Sequence, residues 1–255
     1  MAISDLVATV TQVRCFKAGK QQGAASGFFY VEGDRLFFIT NRHVIIKEED
    51  DYYPGEIRMR LHTNPSDIRQ NEDLSLHLYD DSGKPTWLEH PTHGAKIDVV
   101  AIPMDAELVK SRFFIRSFSS KDLIPSDVDI SVGEDVLVLG YPLGLHDMVH
   151  NLPIVRSATL ASVYPVPFSG DPIVLIDSRL HRGTSGSPVL TKPTQMLRRQ
   201  DGSTSFLSGM VSFLVGVHSA SVDIKDRDPQ QDEPLGLSVV WFASLIPQII
   251  AQSKT

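Results

Sequence analysis

Apolar residues in this chain occur mainly in short runs with turn-forming residues between them. The runs are rich in Val, Ile, Phe and Leu, and the separators are Gly, Pro, Asp and Ser, which is typical of β-structure. Residues 27–40 predict a hairpin that turns at Gly33-Asp34. The pattern predicts an all-β protein with strands at 6–16, 26–32, 35–40, 56–61, 97–103, 135–140, 154–163, 172–177, 187–191, 207–211 and 213–219.

One amphipathic helix is predicted, over residues 242–252. Four of its residues are spaced to form a single apolar stripe, and we expect the helix to pack across a β-barrel. The stripe consists of Leu245, Ile246, Ile249 and Ile250.

A polar, turn-rich stretch at residues 116–126 separates two groups of about six strands. We place a lobe boundary there, with an N-terminal lobe over 1–120 and a C-terminal lobe with the terminal helix over 121–255. The acidic and polar segments 47–51 and 223–233 are predicted to be solvated loops.

Composition and charge narrow the class of protein. The chain has 255 residues, of which 42% are hydrophobic and 22% charged, and this balance is typical of a globular protein rather than a disordered one. Its formal net charge of -7 makes the surface repel phosphate backbones. We therefore expect no nucleic-acid partner.

Cysteine content and hydropathy bear on the compartment. Cys15 is the only cysteine, so no intramolecular disulfide can form and a reducing compartment is favoured. The N-terminus lacks the pattern of a secretory signal, and no run reaches about 18 apolar residues. We expect a cytoplasmic protein that does not associate with membranes.

The sharpest local motif is Gly183-Thr184-Ser185-Gly186-Ser187-Pro188, which runs directly into an apolar strand. Glycines on both sides of Ser185 allow a tight turn that presents the serine. In such a turn the N–H groups of Gly183 and Ser185 converge on one point, where they can stabilise the charge of a tetrahedral oxyanion.

A serine hydroxyl needs a base to act as a nucleophile, and the base needs a group that orients it. His43 follows the strand at 35–40 and is predicted to lie on a surface turn. Asp98 is predicted to open the strand that continues to residue 102, where apolar burial begins. A buried carboxylate there requires a donor, which an imidazole nitrogen can supply.

Further motifs carry a resemblance to a known family. The segment 25–29 contains Ser-Gly-Phe, 132–144 reads Val-Gly-Glu-Asp-Val-Leu-Val-Leu-Gly-Tyr-Pro-Leu-Gly, and 214–220 reads Leu-Val-Gly-Val-His-Ser-Ala. With the His, Asp, Ser order, these make the chain resemble the chymotrypsin/trypsin-like serine peptidases. Within that family it is similar to the bacterial group that includes HtrA/Deg protease domains and glutamyl endopeptidases.

The resemblance implies two six-stranded antiparallel barrels with an active site between them. It implies a serine endopeptidase that works through an acyl-enzyme on protein or peptide substrates, with His43, Asp98 and Ser185 as catalytic triad and without a metal or organic cofactor. Two departures from the family pattern are Thr184, where Asn or Asp is usual, and Ser187, where a second glycine is usual.

The same resemblance bears on specificity. Arg179, six residues before Ser185, is expected at the floor of the specificity pocket and argues against basic side chains. His218 is expected on the pocket wall, where it favours Glu, or alternatively Gln, before the scissile bond. The residues expected to contact substrate are Arg179, Arg182, Thr184, His218, Ser219, Ala220 and Ser221, the last three through backbone pairing.

An esterase of the α/β-hydrolase class is a competing hypothesis, because Ser185, Asp201 and His218 also follow the order Ser, Asp, His. The motif does not fit, since a nucleophile elbow needs Gly-x-Ser-x-Gly before a helix and position 187 is Ser before a strand.

Metal binding and loss of activity are two further hypotheses. The pairs His90 with His93 and His146 with His150 come without a third recognisable ligand, so solvated loop histidines are favoured. A latent or inactive binding module on the same fold, which needs an activating or regulatory protein partner, stays open.

Overall fold

The computed structural model describes residues 5–222 and 235–253, and within these ranges it contains fourteen strands and three α-helices. The strands are β1 (Val10–Lys17), β2 (Lys20–Glu32), β3 (Arg35–Thr40), β4 (Glu56–His62), β5 (Asn71–His77), β6 (Val100–Met104), β7 (Asp135–Gly140), β8 (Ile154–Leu160), β9 (Ile173–Asp177), β10 (Pro188–Thr191), β11 (Thr194–Arg198), β12 (Thr204–Val211), β13 (Leu214–Ser221) and β14 (Leu237–Phe242). The helices are α1 (Arg42–Ile45), α2 (Ala106–Arg112) and α3 (Leu245–Ile250).

The first six strands form one antiparallel sheet in the order β5-β4-β1-β2-β3-β6. This sheet is a half-barrel, because its two outer strands do not pair with each other. The chain between them covers the β6 edge instead: Leu88 exchanges two backbone hydrogen bonds with Ala101, at 2.8 and 3.1 Å. The edge is thus protected without full closure.

The second lobe is a closed six-stranded barrel in the order β10-β13-β14-β9-β8-β7. Alternate residues of its strands point inward, as a period of two requires. Val136, Val138, Val174 and Ile176 are examples, and all are buried in one apolar cluster. The predicted all-β class and two-lobed architecture are confirmed, with the first lobe less closed than expected.

The strands of the first lobe bury both faces. Phe29 and Phe38 pack inside the half-barrel, whereas their neighbours Phe28 and Ile39 face the second lobe. This explains why β2 and β3 appear in the sequence as continuous apolar runs rather than as alternating ones. The outward face becomes one side of a core that the two lobes share.

Helix α3 lies in this shared core. Its four apolar residues are buried together with Val10 and Phe28 of the first lobe and Leu139 and Trp241 of the second. The predicted helix over 242–252 is therefore present, but it starts at Leu245 and joins the two lobes instead of crossing one barrel.

Three strands and two helices were not predicted from the sequence, since α1 lies where a surface turn around His43 was expected. The edge strands β5 and β11 are mostly polar, and Leu74 and Leu197 are their only buried residues. Strand β14 occupies residues up to Phe242, where the helix was expected to begin. Helix α2 starts at a conventional cap, since Asp105 Oδ1 accepts from Leu108 N–H at 2.9 Å.

Several boundaries also differ. Strand β2 begins at Lys20, six residues before its predicted start, and Asp5–Ala8 form a 3₁₀ turn where the first strand was expected. The predicted loop at 223–233 lies outside the described residues. The lobe boundary at 120/121 falls between β6 and β7 and stays a prediction.

We expect Ile246→Ala to lower the free energy of unfolding by about 2–5 kcal/mol, because it leaves a cavity in a core that both lobes share. Ile246 is fully buried. Urea unfolding followed by fluorescence measures the change. Val149→Ala, at a residue that is 61% exposed, is the control and should shift stability by less than about 0.5 kcal/mol. Equal effects of the two variants would contradict the assignment of the shared core.

Candidate active site

His43 lies in the short helix α1, which follows β3 in the connection between β3 and β4 of the first lobe. Its backbone N–H donates to Asp98 Oδ1 at 2.9 Å, and its ring Nδ1 lies 2.7 Å from Asp98 Oδ2. Because a carboxylate only accepts, this contact keeps the ring proton on Nδ1. Nε2 of the neutral ring is then free to accept a proton.

The sequence predicted that Asp98 is the first residue of its strand. In the structure, Asp98 lies two residues before β6 begins. Its neighbours Ile97 and Val99 are buried in the shared core. The carboxylate accepts a third hydrogen bond from Ser219 Oγ at 2.6 Å. These three contacts fix the orientation of the carboxylate.

Ser185 lies in a tight turn between β9 and β10. Gly183 and Gly186 adopt positive φ values of 94° and 81°, which L-residues with a side chain rarely adopt. A side chain at Gly186 would also place Cβ 2.1 Å from the Ser26 carbonyl oxygen. Conformation thus requires glycine at both positions, and the close approach of the first lobe requires it at Gly186 as well.

The Ser185 hydroxyl donates to the carbonyl oxygen of Ser219 at 3.0 Å. In this structure, no hydrogen bond joins it to His43. Both residues nevertheless line the same cavity of about 190 Å³, together with Cys15 and Gly183. The nucleophile candidate and the base candidate therefore share one solvent space.

The backbone N–H groups of Gly183 and Ser185 have no acceptor among the described residues. The carbonyl of Arg182 accepts from Leu143 N–H at 2.6 Å, and the carbonyl of Thr184 accepts from Ser187 N–H at 3.0 Å. Since C=O and N–H point in opposite directions in a trans peptide, both free N–H groups point away from these contacts. Such a pair is available to an oxyanion.

A second cavity, of about 340 Å³, lies on the other side of Ser185. Five of the residues predicted to bind substrate line it: Arg182, His218, Ser219, Ala220 and Ser221. Thr184 is instead buried under the turn, where its Oγ1 donates to the His181 carbonyl. Arg179 is exposed and does not line this cavity.

His218 forms the most buried part of this cavity, with 3% of its surface exposed. Its Nδ1 lies 2.9 Å from the Thr184 carbonyl oxygen, and its Nε2 is buried without a partner among the described residues. Burial lowers the pKa of His218 to about 4, and nearby His43 adds to this effect. The Thr184 carbonyl acts in the opposite direction.

Two residues without a predicted role hold the site together. Ser26 Oγ donates to the Gly183 carbonyl at 2.8 Å and accepts from Tyr141 N–H at 3.0 Å. Asn41 Nδ2 donates to the Asp98 carbonyl at 2.7 Å. Ser26 belongs to the Ser-Gly-Phe motif, which was its signal in the sequence, whereas Asn41 had none beyond its position before His43.

Cys15 contributes a thiol to the cavity beside His43. Its Sγ donates to the Val44 carbonyl at 3.3 Å, and burial raises its pKa to about 11. A thiol in this state is a poor nucleophile near neutral pH.

The histidine pairs considered as metal ligands have other partners. His90 Nε2 lies 3.1 Å from Gln248 Oε1, and His150 Nδ1 lies 2.8 Å from Asp147 Oδ2. Among the described residues, no three His, Cys, Asp or Glu side chains come together as a metal site. No described helix is both long and apolar enough to cross a lipid bilayer.

Fold and site together define a two-lobed β-protein with a serine, a histidine and an aspartate at the lobe interface. Residues 25–197 match the sequence profile of the trypsin-like peptidase domain. The chain belongs to this family, which confirms the resemblance inferred from its motifs. No curated protein sequence matches the chain significantly.

Solved structures show the same fold. The serine endoprotease of Yersinia pestis is 14% identical over 96% of this chain and 62% of its own, with a TM-score of 0.55. The protease Anisep of Arthrobacter nicotinovorans is 14% identical over 97% and 95%, with a TM-score of 0.53. An HtrA-type protease solved with a tripeptide is 13% identical over 97% and 60%, with a TM-score of 0.52.

This chain spans about three fifths of the length of the first and third of these proteins. At such low identity the likeness concerns the fold. Together with the family match, it supports a serine peptidase.

We expect acid to destabilise the protein through His218. Its folded pKa of about 4 lies below the ordinary value of 6.5, so the unfolded chain binds a proton that the folded chain does not. Stability should therefore fall as the pH drops from about 6.5 to 4, by about 3 kcal/mol if the whole shift is expressed.

Urea midpoints at several pH values test this expectation in wild type and His218→Asn. The variant should lose less stability in that window. His181→Asn, at an exposed position, should behave as wild type. The expectation would be contradicted if His218→Asn lost as much stability between about pH 6.5 and 4 as wild type does.

Proposed function

We propose that this protein is a serine endopeptidase that hydrolyses peptide bonds through an acyl-enzyme, with His43, Asp98 and Ser185 as its catalytic triad. The observation that carries the proposal is the contact of His43 with Asp98. Two hydrogen bonds between these residues leave His43 Nε2 as the acceptor in the cavity that also contains Ser185.

In the proposed mechanism, substrate binding first displaces the Ser185 hydroxyl from the Ser219 carbonyl. Rotation about χ1 then brings Oγ to His43, which removes its proton as Oγ attacks the scissile carbonyl. Asp98 stabilises the imidazolium that forms. His43 next donates the proton to the leaving amine, and the same cycle with water releases the acyl group.

The oxyanion of each tetrahedral intermediate is stabilised by the free N–H groups of Gly183 and Ser185. Their orientation is fixed before the reaction by the contacts of Arg182 with Leu143 and of Thr184 with Ser187. Donors that need no reorganisation are the effective ones in a site that excludes water.

Substrate binds, in this proposal, as an extended strand along residues 219–221. The pairing of β13 with β14 is interrupted between His218 and Ser221, so backbone groups there are available to a peptide. No acidic side chain is among the described residues that line the adjacent cavity. This disfavours Lys and Arg before the scissile bond and leaves Glu or Gln, which His218 contacts, as the proposed preference.

A second candidate function is a latent protease that a partner protein activates. One observation favours it: the Ser185 hydroxyl is bonded to the Ser219 carbonyl and not to His43. A partner or substrate that occupies this carbonyl would release the hydroxyl. We also propose a cytoplasmic location, on the basis of the single cysteine, which is buried as a thiol.

The proposal is tested by digesting a denatured protein mixture with wild type and with Ser185→Ala, and mapping the new termini by mass spectrometry. Wild type should cleave after Glu or Gln, and the variant should lose activity by a factor on the order of 10⁴ or more. Ser203→Ala, at an exposed serine that lines neither cavity beside Ser185, is the matched control and should retain cleavage.

Each other outcome has a defined meaning. Ser185-dependent cleavage after small apolar residues keeps the triad and excludes the role of His218. Cleavage that persists in the Ser185→Ala variant would exclude His43, Asp98 and Ser185 as the catalytic triad. No cleavage by wild type, with labelling of Ser185 by a fluorophosphonate probe only when a peptide is added, would favour the latent protease.

A further inference from the structure

His218 is bonded to the nucleophile turn at three points. Its backbone N–H donates to the Ser187 carbonyl and its backbone carbonyl accepts from Gly186 N–H, both at 2.9 Å. Its ring Nδ1 forms the third contact, with the Thr184 carbonyl. The side chain that lines the substrate cavity is therefore part of the support of Ser185.

The third contact fixes the tautomer of the ring. A carbonyl oxygen only accepts hydrogen bonds, so Nδ1 must carry the proton. In the neutral ring, Nε2 then has a lone pair and no proton. This lone pair is buried and has no donor among the described residues, and leaving such a group unpaired is unfavourable.

Burial keeps the His218 ring neutral at pH 7, because it holds the pKa of His218 far below the ordinary value. Among nearby charged groups, His43 acts in the same direction and Asp98 opposes it. Asp98 is itself bonded to His43 and Ser219. On the turn, His181 and Arg182 line the same cavity and are exposed. The paired strand β14 places Val240 opposite His218.

We propose that His218 recognises the substrate side chain as a hydrogen-bond acceptor, so that the cavity binds a primary amide without a change of protonation and binds a carboxylate only together with one proton. This inference rests on the proposed function and decides between its two substrates. Gln has an amide N–H to donate to Nε2. An ionised Glu offers only lone pairs, so either the ring or the carboxyl group must take up a proton.

The hydrogen bond from the substrate amide to His218 Nε2 should also affect the oxyanion site. A donor on Nε2 withdraws electron density from the ring and strengthens the Nδ1–H bond to the Thr184 carbonyl. That carbonyl belongs to the peptide whose N–H is the Ser185 oxyanion donor. Recognition of the amide should therefore raise kcat, and not only lower KM.

The kinetic test uses three peptides that differ only in Gln, Glu or Met before the scissile bond, assayed between pH 6 and 8.5. The ratio of kcat/KM for Glu to that for Gln should fall about tenfold per pH unit, because one proton is taken up with Glu. The value of kcat should be higher for the Gln peptide than for the Met peptide. A Glu-to-Gln ratio that does not change with pH would overturn the proposal, as would equal kcat values for Gln and Met.

The matched variant is His218→Asn, whose amide nitrogen can still donate to the Thr184 carbonyl but whose side chain cannot take up a proton. For this variant, the ratio of kcat/KM for the Glu peptide to kcat/KM for the Gln peptide should be independent of pH. A variant ratio that still falls tenfold per pH unit would show that the proton uptake does not depend on the His218 ring, and it would overturn the proposal.

A binding experiment separates this proposal from the proposed function. Calorimetry of Ser185→Ala with peptides that end in Gln or Glu, in buffers of different ionisation enthalpy, counts the protons taken up. We expect about zero for Gln and about one for Glu at pH 7. Equal counts, or no binding of the Gln peptide, would overturn the inference. Different counts in a protein whose wild type cleaves nothing would instead overturn only the proposed function.

Discussion

The apolar core shared by the two lobes fixes the relative positions of the residues at the site. Strands β2, β3 and β6 bury one face inside the first lobe and the other against the second, and α3 fills the space between the lobes. Ile97 and Val99 belong to this core, so the backbone on both sides of Asp98 is held by packing. The cost of a void in such a core resists relative movement of the lobes.

Hydrogen bonds across the same interface complete the alignment. Ser26 of the first lobe donates its backbone N–H to the Ser185 carbonyl at 2.8 Å and its hydroxyl to the Gly183 carbonyl. In the other direction, Ser219 of the second lobe donates to Asp98. The three bonds are short, at 2.6 to 2.8 Å, and the two that involve side chains are partly shielded from water, where an unmade bond is costly. The serine turn and the carboxylate are thus each oriented by the opposite lobe.

Three buried side-chain atoms near the site have no partner among the described residues: Asn41 Oδ1, Ser187 Oγ and His218 Nε2. Of these three residues, His218 is the one that lines the cavity next to Ser185. A protein tolerates such a cost where a ligand removes it, and the neighbouring cavity gives a ligand access to the ring. The same side chain is bonded to the Thr184 carbonyl, so in the proposed binding mode one residue would both contact the substrate and support Ser185.

The sequence by itself determined the strand pattern, the two lobes and the identity of the serine turn. These follow from local physics, because period-two burial and the glycines around Ser185 leave their mark on neighbouring residues. It did not reveal the polar edge strands β5 and β11, nor the extent of closure of the first lobe. Only the tertiary structure decided which side chains meet: Ser26 and Asn41 beside the site, Arg179 outside the cavity, and Ser219 on Asp98. Such contacts join residues far apart along the chain, and the packing that brings them together is a property of the whole core.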